Sequence, residues 1–184
     1  MTAPSRIQRQ DGFTLVELLI VVIILAILAA IVIPQFSSAT TDAQEAALDS
    51  NLGGLRNSIE LYKAQHVGYP GAAASSTGCA TKGTGAANSA QAFMDHLLMY
   101  SDASGNTCTV GDTTYKFGPY LRKGIPTDAI TQKGSLVAEI VVTNTGATIN
   151  PGAAIGGWAY DTKSGQIVMN SNGTDSKSKT YSTH

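Results

Sequence analysis

Residues 12–34 read GFTLVELLIVVIILAILAAIVIP, and this stretch decides the fold. The run from Phe13 to Ile33 is apolar apart from Thr14 and Glu17, and a helix of this length can span a hydrocarbon core of about 30 Å. A carboxylate within such a helix is costly, but the large apolar side chains outweigh that cost. The sequence therefore predicts a membrane-spanning helix in which Glu17 is an unsatisfied group that needs a partner.

A short leader, residues 1–12, precedes the apolar run and ends in Gly12. The leader carries Arg6 and Arg9, and positive charges beside a membrane helix favour the cytoplasmic side. The sequence therefore predicts a single-pass protein whose residues after Pro34 lie outside the cytoplasm.

This junction resembles the cleavage site of type IV pilin-like precursors, the class III signal peptides of pilins and of type II secretion pseudopilins. The matching residues are Gly12, Phe13, Thr14, Leu15, Glu17 and Pro34. The resemblance implies that a prepilin peptidase cuts after Gly12 and methylates the new N-terminus at Phe13. It also implies that identical subunits assemble, from an inner-membrane platform, into a helical homopolymer.

Glu17 has a specific role in such an assembly. Cleavage gives Phe13 an α-amino group, which stays cationic after N-methylation. In a staggered helical array, Glu17 of one subunit meets this cation of its neighbour, and their attraction sets the register. The alternative interpretation is that Glu17 snorkels to the membrane interface.

Two other interpretations of the N-terminus stay open. A secretory signal peptide would be cut at a small-residue site, for which residues 37–39 are a candidate, but its apolar region would be shorter. A plain signal-anchored protein accounts for the length of the run but leaves Gly12, Phe13 and Glu17 unexplained.

The helical pattern continues beyond the apolar run, over residues 34–66. Pro34 predicts a kink, because it removes a backbone donor. The apolar positions that follow have helical spacing and predict an amphipathic stripe: Leu48, Leu52, Leu55, Ile59 and Tyr62. The helix is expected to end near His66. This histidine would cap the C-terminus of the helix, where a cation is favoured.

Residues 67–169 are expected to form a globular head and residues 170–184 a polar, mobile tail. Within the head, the pattern predicts a short helix over Gln91–Tyr100 and a strand over Leu136–Thr143. A hairpin is predicted over Gly157–Met169. The fold class is therefore α+β: a long N-terminal helix, transmembrane and then amphipathic, packed on a small antiparallel sheet in a pilin-like manner.

Composition and cysteines limit the possible functions. The 184 residues carry a net charge of −1, so the chain has no basic footprint for nucleic acid. Cys79 and Cys108 lie in the part expected outside the cytoplasm, where they most simply form one disulfide.

Three further stretches resemble the major pseudopilin of type II secretion and its close relatives. They are Tyr62-Lys63 with Gly68-Tyr69-Pro70, Gly118 to Lys123 with Pro126 and Asp128, and Gly157 to Asp161 with Gly165. The Trp-Gly pair usual in that family is missing, since Ala129-Ile130 follow Asp128. The resemblance implies a calcium site, for which Asp128 and Asp161 are the only candidates. Solvated surface carboxylates are the alternative, and no other cofactor is expected.

The sequence has no zinc-hydrolase, phosphate-loop, dinucleotide or nucleophile-elbow motif, so an enzyme is not expected. The favoured function is a structural subunit, with a slight preference for the pseudopilus of protein secretion. The alternatives are a major or minor type IV pilin for adhesion, motility or DNA uptake, and a membrane-tethered binding module at a filament tip. The expected location is the inner membrane, followed by a periplasmic pseudopilus or a cell-surface filament.

Overall fold

The computed structural model describes residues 12–184 as two compact units, which meet between Thr41 and Asp42. The helices are α1 (Leu15–Gln65) and α2 (Ala90–Leu98), and 3-10 turns cover Val137–Glu139 and Tyr181–Thr183. The strands are β1 (Tyr100–Ser101), β2 (Thr107–Cys108), β3 (Ile140–Thr143), β4 (Trp158–Asp161) and β5 (Ile167–Met169). The leader predictions for Arg6 and Arg9 lie outside the described residues.

The first unit consists of the start of α1 and the residues before it. Each large apolar side chain from Phe13 to Ile33 is at least 41% exposed in the isolated chain. Within residues 12–184, α1 is the one helix long and apolar enough to cross a membrane. Pro34 lies inside α1, and the predicted kink there stays a prediction.

The second unit is built around the predicted stripe of α1, whose five apolar side chains are at most 2% exposed. They pack against apolar side chains of α2 and of the sheet: Phe93, Leu97, Trp158, Tyr160, Ile167 and Met169. Full burial of one such side chain contributes about 1.5–3 kcal/mol, so this contact is the main source of cohesion in the unit. The α+β fold class is confirmed, and α1 ends one residue before the predicted His66.

The three-stranded sheet has the order β3-β4-β5. The predicted hairpin is confirmed, since β4 and β5 are antiparallel with Trp158 opposite Met169. The prediction of a wholly antiparallel sheet is wrong, because β3 and β4 are parallel. Residues 144–157 return the chain to the start of the sheet, and a parallel pair requires a connection of about this length.

The segment predicted as one strand over Leu136–Thr143 is extended only in its second half. The carboxylate of Glu139 accepts hydrogen bonds from the backbone N–H groups of Gly134 and Leu136. This local capping favours a 3-10 turn over Val137–Glu139, so β3 begins at Ile140. The β-branched residues alone did not reveal the turn.

Residues 170–184 are packed rather than free at the surface, so the prediction of a mobile tail is wrong. Tyr181 packs against the core cluster. The backbone N–H and hydroxyl of Ser176 both donate to Glu45 on α1, each at 2.7 Å. The prediction failed because most of these contacts are polar and join residues far apart in the sequence.

Candidate functional site

The helix begins with a reciprocal pair of hydrogen-bonding residues. Oε2 of Glu17 accepts from the backbone N–H of Thr14 at 2.9 Å and from its hydroxyl at 2.7 Å. In return, the backbone N–H of Glu17 donates to Oγ1 of Thr14 at 3.2 Å. This is a capping box, in which a threonine before the helix and a glutamate three residues later satisfy each other's free backbone donors.

The capping box corrects the expectation that Glu17 is unsatisfied. The spacing Thr-x-x-Glu was visible in the sequence and could have revealed the pair. Among residues 12–184, hydrogen bonds reach only Oε2 of Glu17. The second oxygen, Oε1, therefore can accept from a partner while the capping box stays intact.

The peptide bond between Gly12 and Phe13 is accessible. Both residues precede the helix, which begins at Leu15. Phe13 is 83% exposed, and among the described residues beyond its chain neighbours no atom lies within 4 Å of the position where a side chain of Gly12 would begin. The bond therefore lies outside the helix, next to an exposed side chain at Phe13.

The predicted disulfide is present. Cys79 and Cys108 are bonded, with 5.4 Å between their Cα atoms. Beside the bond, the N–H of Thr107 donates to the carbonyl of Thr77 at 2.9 Å. The disulfide thus joins β2 to the loop before α2.

The two calcium candidates, Asp128 and Asp161, are buried rather than solvated at the surface, which corrects the alternative interpretation. Asp128 accepts from the N–H groups of Ile130 and Gly157, at 3.0 and 2.8 Å. Asp161 accepts from the N–H of Thr145 at 2.7 Å, among other donors. Both carboxylates are therefore structural acceptors here. Within the described residues, no three His, Cys, Asp or Glu side chains are placed to hold a metal ion.

His66 caps α1 differently from the prediction. Its Nδ1 lies 2.8 Å from the carbonyl of Tyr62, and its Nε2 lies 3.0 Å from the hydroxyl of Ser101. A carbonyl only accepts, so Nδ1 carries the proton and Nε2 accepts from the hydroxyl. Burial lowers the pKa of His66, so the ring acts as a neutral cap and not as a cation.

Comparisons with known proteins find a matching motif and several similar proteins. Residues 7–33 match the model of the prokaryotic N-terminal methylation motif. The chain is 36% identical over 63 residues to the type II secretion system core protein G of Pseudomonas aeruginosa, which covers 34% of this chain and 44% of that protein. The corresponding protein of Aeromonas hydrophila is also 36% identical over 63 residues, covering 34% and 44%.

The chain is also similar to a component of a type IV pilus. It is 39% identical over 62 residues to the type IV narrow pilus major component PilA5 of Thermus thermophilus, covering 34% of this chain and 53% of that protein. The chain thus spans about half the length of the curated relatives it matches. No solved structure matches it. The chain is therefore similar, over about a third of its length, to components of type II secretion and type IV pilus systems.

Proposed function

We propose, from the type IV pilin-like character of its N-terminal region, that this protein is a structural subunit of a secretion pseudopilus or a type IV pilus-like filament. Prepilin peptidase cuts the precursor after Gly12, and Phe13 becomes the methylated N-terminus. The subunit then leaves the inner membrane and joins a helical polymer of identical chains. The relatives are structural proteins, so an enzymatic role is not proposed.

The observation that carries the proposal is an apolar helix with a single acid. The helix from Leu15 to Ile33 is apolar on every side and exposed on every side in the isolated chain. A helix of this kind is stable only when lipid or other apolar helices surround it. Lipid surrounds it before assembly, and the same segments of neighbouring subunits surround it afterwards.

Glu17 sets the axial register of the helix when the subunit leaves the lipid and packs against its neighbours. Within residues 13–33 it is the only charged side chain, and its Oε1 carries none of the hydrogen bonds of the capping box. The cationic nitrogen of Phe13 from a neighbouring subunit is a suitable partner for that oxygen. The pairing favours one axial stagger between subunits, since an unpaired charge in an apolar core is costly.

We favour the secretion pseudopilus over the surface pilus. The Tyr69-Pro70 and Gly118–Lys123 stretches resemble the major pseudopilin, and several relatives are secretion core proteins. The disulfide-closed head and the similarity to PilA5 support the alternative, a type IV pilin for adhesion, motility or DNA uptake. A low-abundance binding module at a filament tip is the third candidate.

The test is intact mass and N-terminal sequencing of the protein from sheared filaments and from membranes. We expect an N-terminus at methylated Phe13. If the protein is found only in membranes, it is a pseudopilin or a minor subunit. If it dominates the sheared fraction, it is a surface pilin. A chain that still begins at Met1 or Thr2 in cells with active prepilin peptidase would overturn the proposal.

A further inference from the structure

Residues 171–184, here called the strap, lie against α1 within the second unit. Ser176 donates to both carboxylate oxygens of Glu45, each at 2.7 Å. The guanidinium of Arg56 donates to the backbone carbonyl of His184 at 2.7 Å. The strap and α1 border a cleft of about 270 Å³, which is large enough for a metal ion with its bound waters. The charged and titratable residues that line the cleft are Asp42, Glu45, Asp49, Asp175, Lys177 and His184.

One ring nitrogen of His184 is held by α1, and the other has no donor. Nδ1 lies 2.8 Å from Oδ1 of Asp49. An ionised carboxylate only accepts, so Nδ1 carries the proton of the neutral imidazole and Nε2 keeps its lone pair. The side chain of His184 is only 7% exposed, and Nε2 has no hydrogen-bond partner among residues 12–184. A buried acceptor without a donor needs an explanation, and a metal ion bound to the lone pair provides one.

Asp175 presents a second lone pair beside this nitrogen. The backbone N–H groups of Lys177 and Lys179 donate to Oδ1 of Asp175, at 2.9 and 2.7 Å. These bonds orient the carboxylate, whose Oδ2 lies 3.3 Å from Nε2 of His184 without the geometry of a hydrogen bond. The two side chains are only 5% and 7% exposed. Two lone pairs this close repel each other, whereas a cation bound to both atoms makes the contact attractive.

The spacing of the two atoms suits a zinc ion. Zinc binds an imidazole nitrogen at about 2.0–2.1 Å and a carboxylate oxygen at about 2.0–2.2 Å. With 3.3 Å between Nε2 of His184 and Oδ2 of Asp175, these bond lengths give an N–Zn–O angle of about 100–110°, which is close to tetrahedral. The hydrogen bond from Nδ1 to Asp49 matches the carboxylate–histidine–zinc arrangement, in which a second carboxylate orients the ring.

His184 is the one histidine in the described part of the chain with a ring nitrogen free to bind a metal. Both ring nitrogens of His66 and of His96 lie within hydrogen-bond distance of protein atoms. The thiols of Cys79 and Cys108 are joined in their disulfide. Four carboxylates and one lysine line the cleft, so its charge favours a cation. An imidazole ligand favours zinc over calcium, which prefers a shell of oxygen atoms.

We propose that His184 and Asp175 bind Zn²⁺ and that Asp49 positions the imidazole for this role. Within residues 12–184 no third His, Cys, Asp or Glu side chain is placed to complete the site, so water supplies the other ligands. The ion joins Asp175 to the end of the strap and, through Asp49, to α1. The zinc site goes beyond the proposed function and does not depend on it.

Isothermal titration calorimetry of the untagged full chain in detergent micelles tests the site, with zinc chloride added to metal-free buffer at neutral pH. We expect saturable binding of one zinc ion per chain. The absence of saturable binding up to millimolar zinc would overturn the proposal.

Three variants and a matched control locate the ion. His184→Gln removes the nitrogen ligand and should abolish the saturable binding. Asp175→Asn removes the anionic ligand and Asp49→Ala removes the group that orients the ring, so each should weaken binding roughly 10–100-fold. Asp42→Asn is the control, because Asp42 lines the same cleft but forms no hydrogen bond with either ligand among the described residues. This variant should bind zinc nearly as tightly as the wild type.

Two results with folded variants would overturn the site. The fluorescence of buried Trp158 shows whether each variant is folded. Unchanged zinc binding in folded His184→Gln would exclude the imidazole as a ligand. Equal losses in Asp42→Asn and Asp175→Asn would show that the acidic cleft attracts the ion by charge alone.

Discussion

Thr14 and Glu17 hold each other at the start of α1, with the carboxylate of Glu17 accepting from both the backbone and the hydroxyl of Thr14. Glu17 completes the first turn within its own chain through Oε2, and none of the hydrogen bonds of the capping box reaches its second oxygen.

The capping box predicts an asymmetry between two substitutions of Thr14. Thr14→Ser keeps the hydroxyl that accepts from the N–H of Glu17, whereas Thr14→Val removes it. We expect exchange of the Glu17 amide to accelerate about fivefold or more in Thr14→Val and to change little in Thr14→Ser. Hydrogen exchange in detergent micelles measures both. Equal rates in the two variants would show that the hydroxyl does not hold the helix start.

Glu17→Gln separates the charge of Glu17 from its capping role. Glutamine also serves at this position of a capping box, so the helix start should survive while the charge is lost. We expect cleavage after Gly12 to be nearly normal and filament number to fall about tenfold or more.

Immunoblots of precursor and mature forms, with counts of filaments, measure both quantities. Glu60→Gln is the matched control, because Glu60 is an exposed acid further along the same helix. Normal filament numbers in Glu17→Gln would contradict the proposed pairing.

The sequence predicted the parts of the fold that depend on local periodicity. The apolar run, the stripe from Leu48 to Tyr62 and the β4–β5 hairpin follow from the spacing of neighbouring residues, and each was confirmed. The parallel pairing of β3 with β4 was not predictable, because the direction of a strand depends on the path of residues 144–157.

The candidate site was predictable to a similar extent. Gly12, Phe13 and Glu17 follow from a linear motif. The burial of Asp128 and Asp161 does not, because each also accepts from a donor in a separate loop. Gly157, for example, donates to Asp128 from 29 residues away. Long-range polar contacts of this kind have no periodicity that a sequence pattern could reveal.

The disulfide is expected to stabilise the second unit substantially. The loop between Cys79 and Cys108 spans 29 residues, for which the chain-entropy treatment gives about 3–4 kcal/mol. Replacing both cysteines by serine should lower the free energy of unfolding in urea by that amount. A loss below about 1 kcal/mol would show that the disulfide adds little to the core contacts.

Calcium is expected to have no effect on stability. Asp128 and Asp161 are engaged by backbone donors, and a calcium ion would have to displace them. The thermal unfolding midpoint should therefore be the same in millimolar calcium and in chelator. A saturable rise with calcium would contradict this and would restore the calcium site implied by the resemblance to pseudopilins.

His96 should make the second unit sensitive to acid. Its Nδ1 accepts from the N–H of Gly71 at 2.8 Å, and its Nε2 donates to the carbonyl of Gly105 at 3.1 Å. Burial is the main cause that lowers the pKa of His96 to about 4. Protonation would place a second donor against the N–H of Gly71, so the folded chain resists it.

The sign of the pH dependence follows from this lowered pKa. In the unfolded chain a histidine has a pKa near 6.5, so between about pH 6.5 and pH 4 the unfolded state binds a proton that the folded state does not. The free energy of unfolding should therefore fall as the pH falls, by roughly 3 kcal/mol across this window from His96.

Buried Trp158, the only tryptophan, provides a fluorescence signal for urea unfolding at pH 7 and 4.5. His96→Gln retains an acceptor and a donor but does not titrate, so its stability should vary less between the two pH values. A variant as acid-sensitive as the wild type would assign the effect to other groups, among which His66, whose pKa is also lowered by burial, is the first to examine.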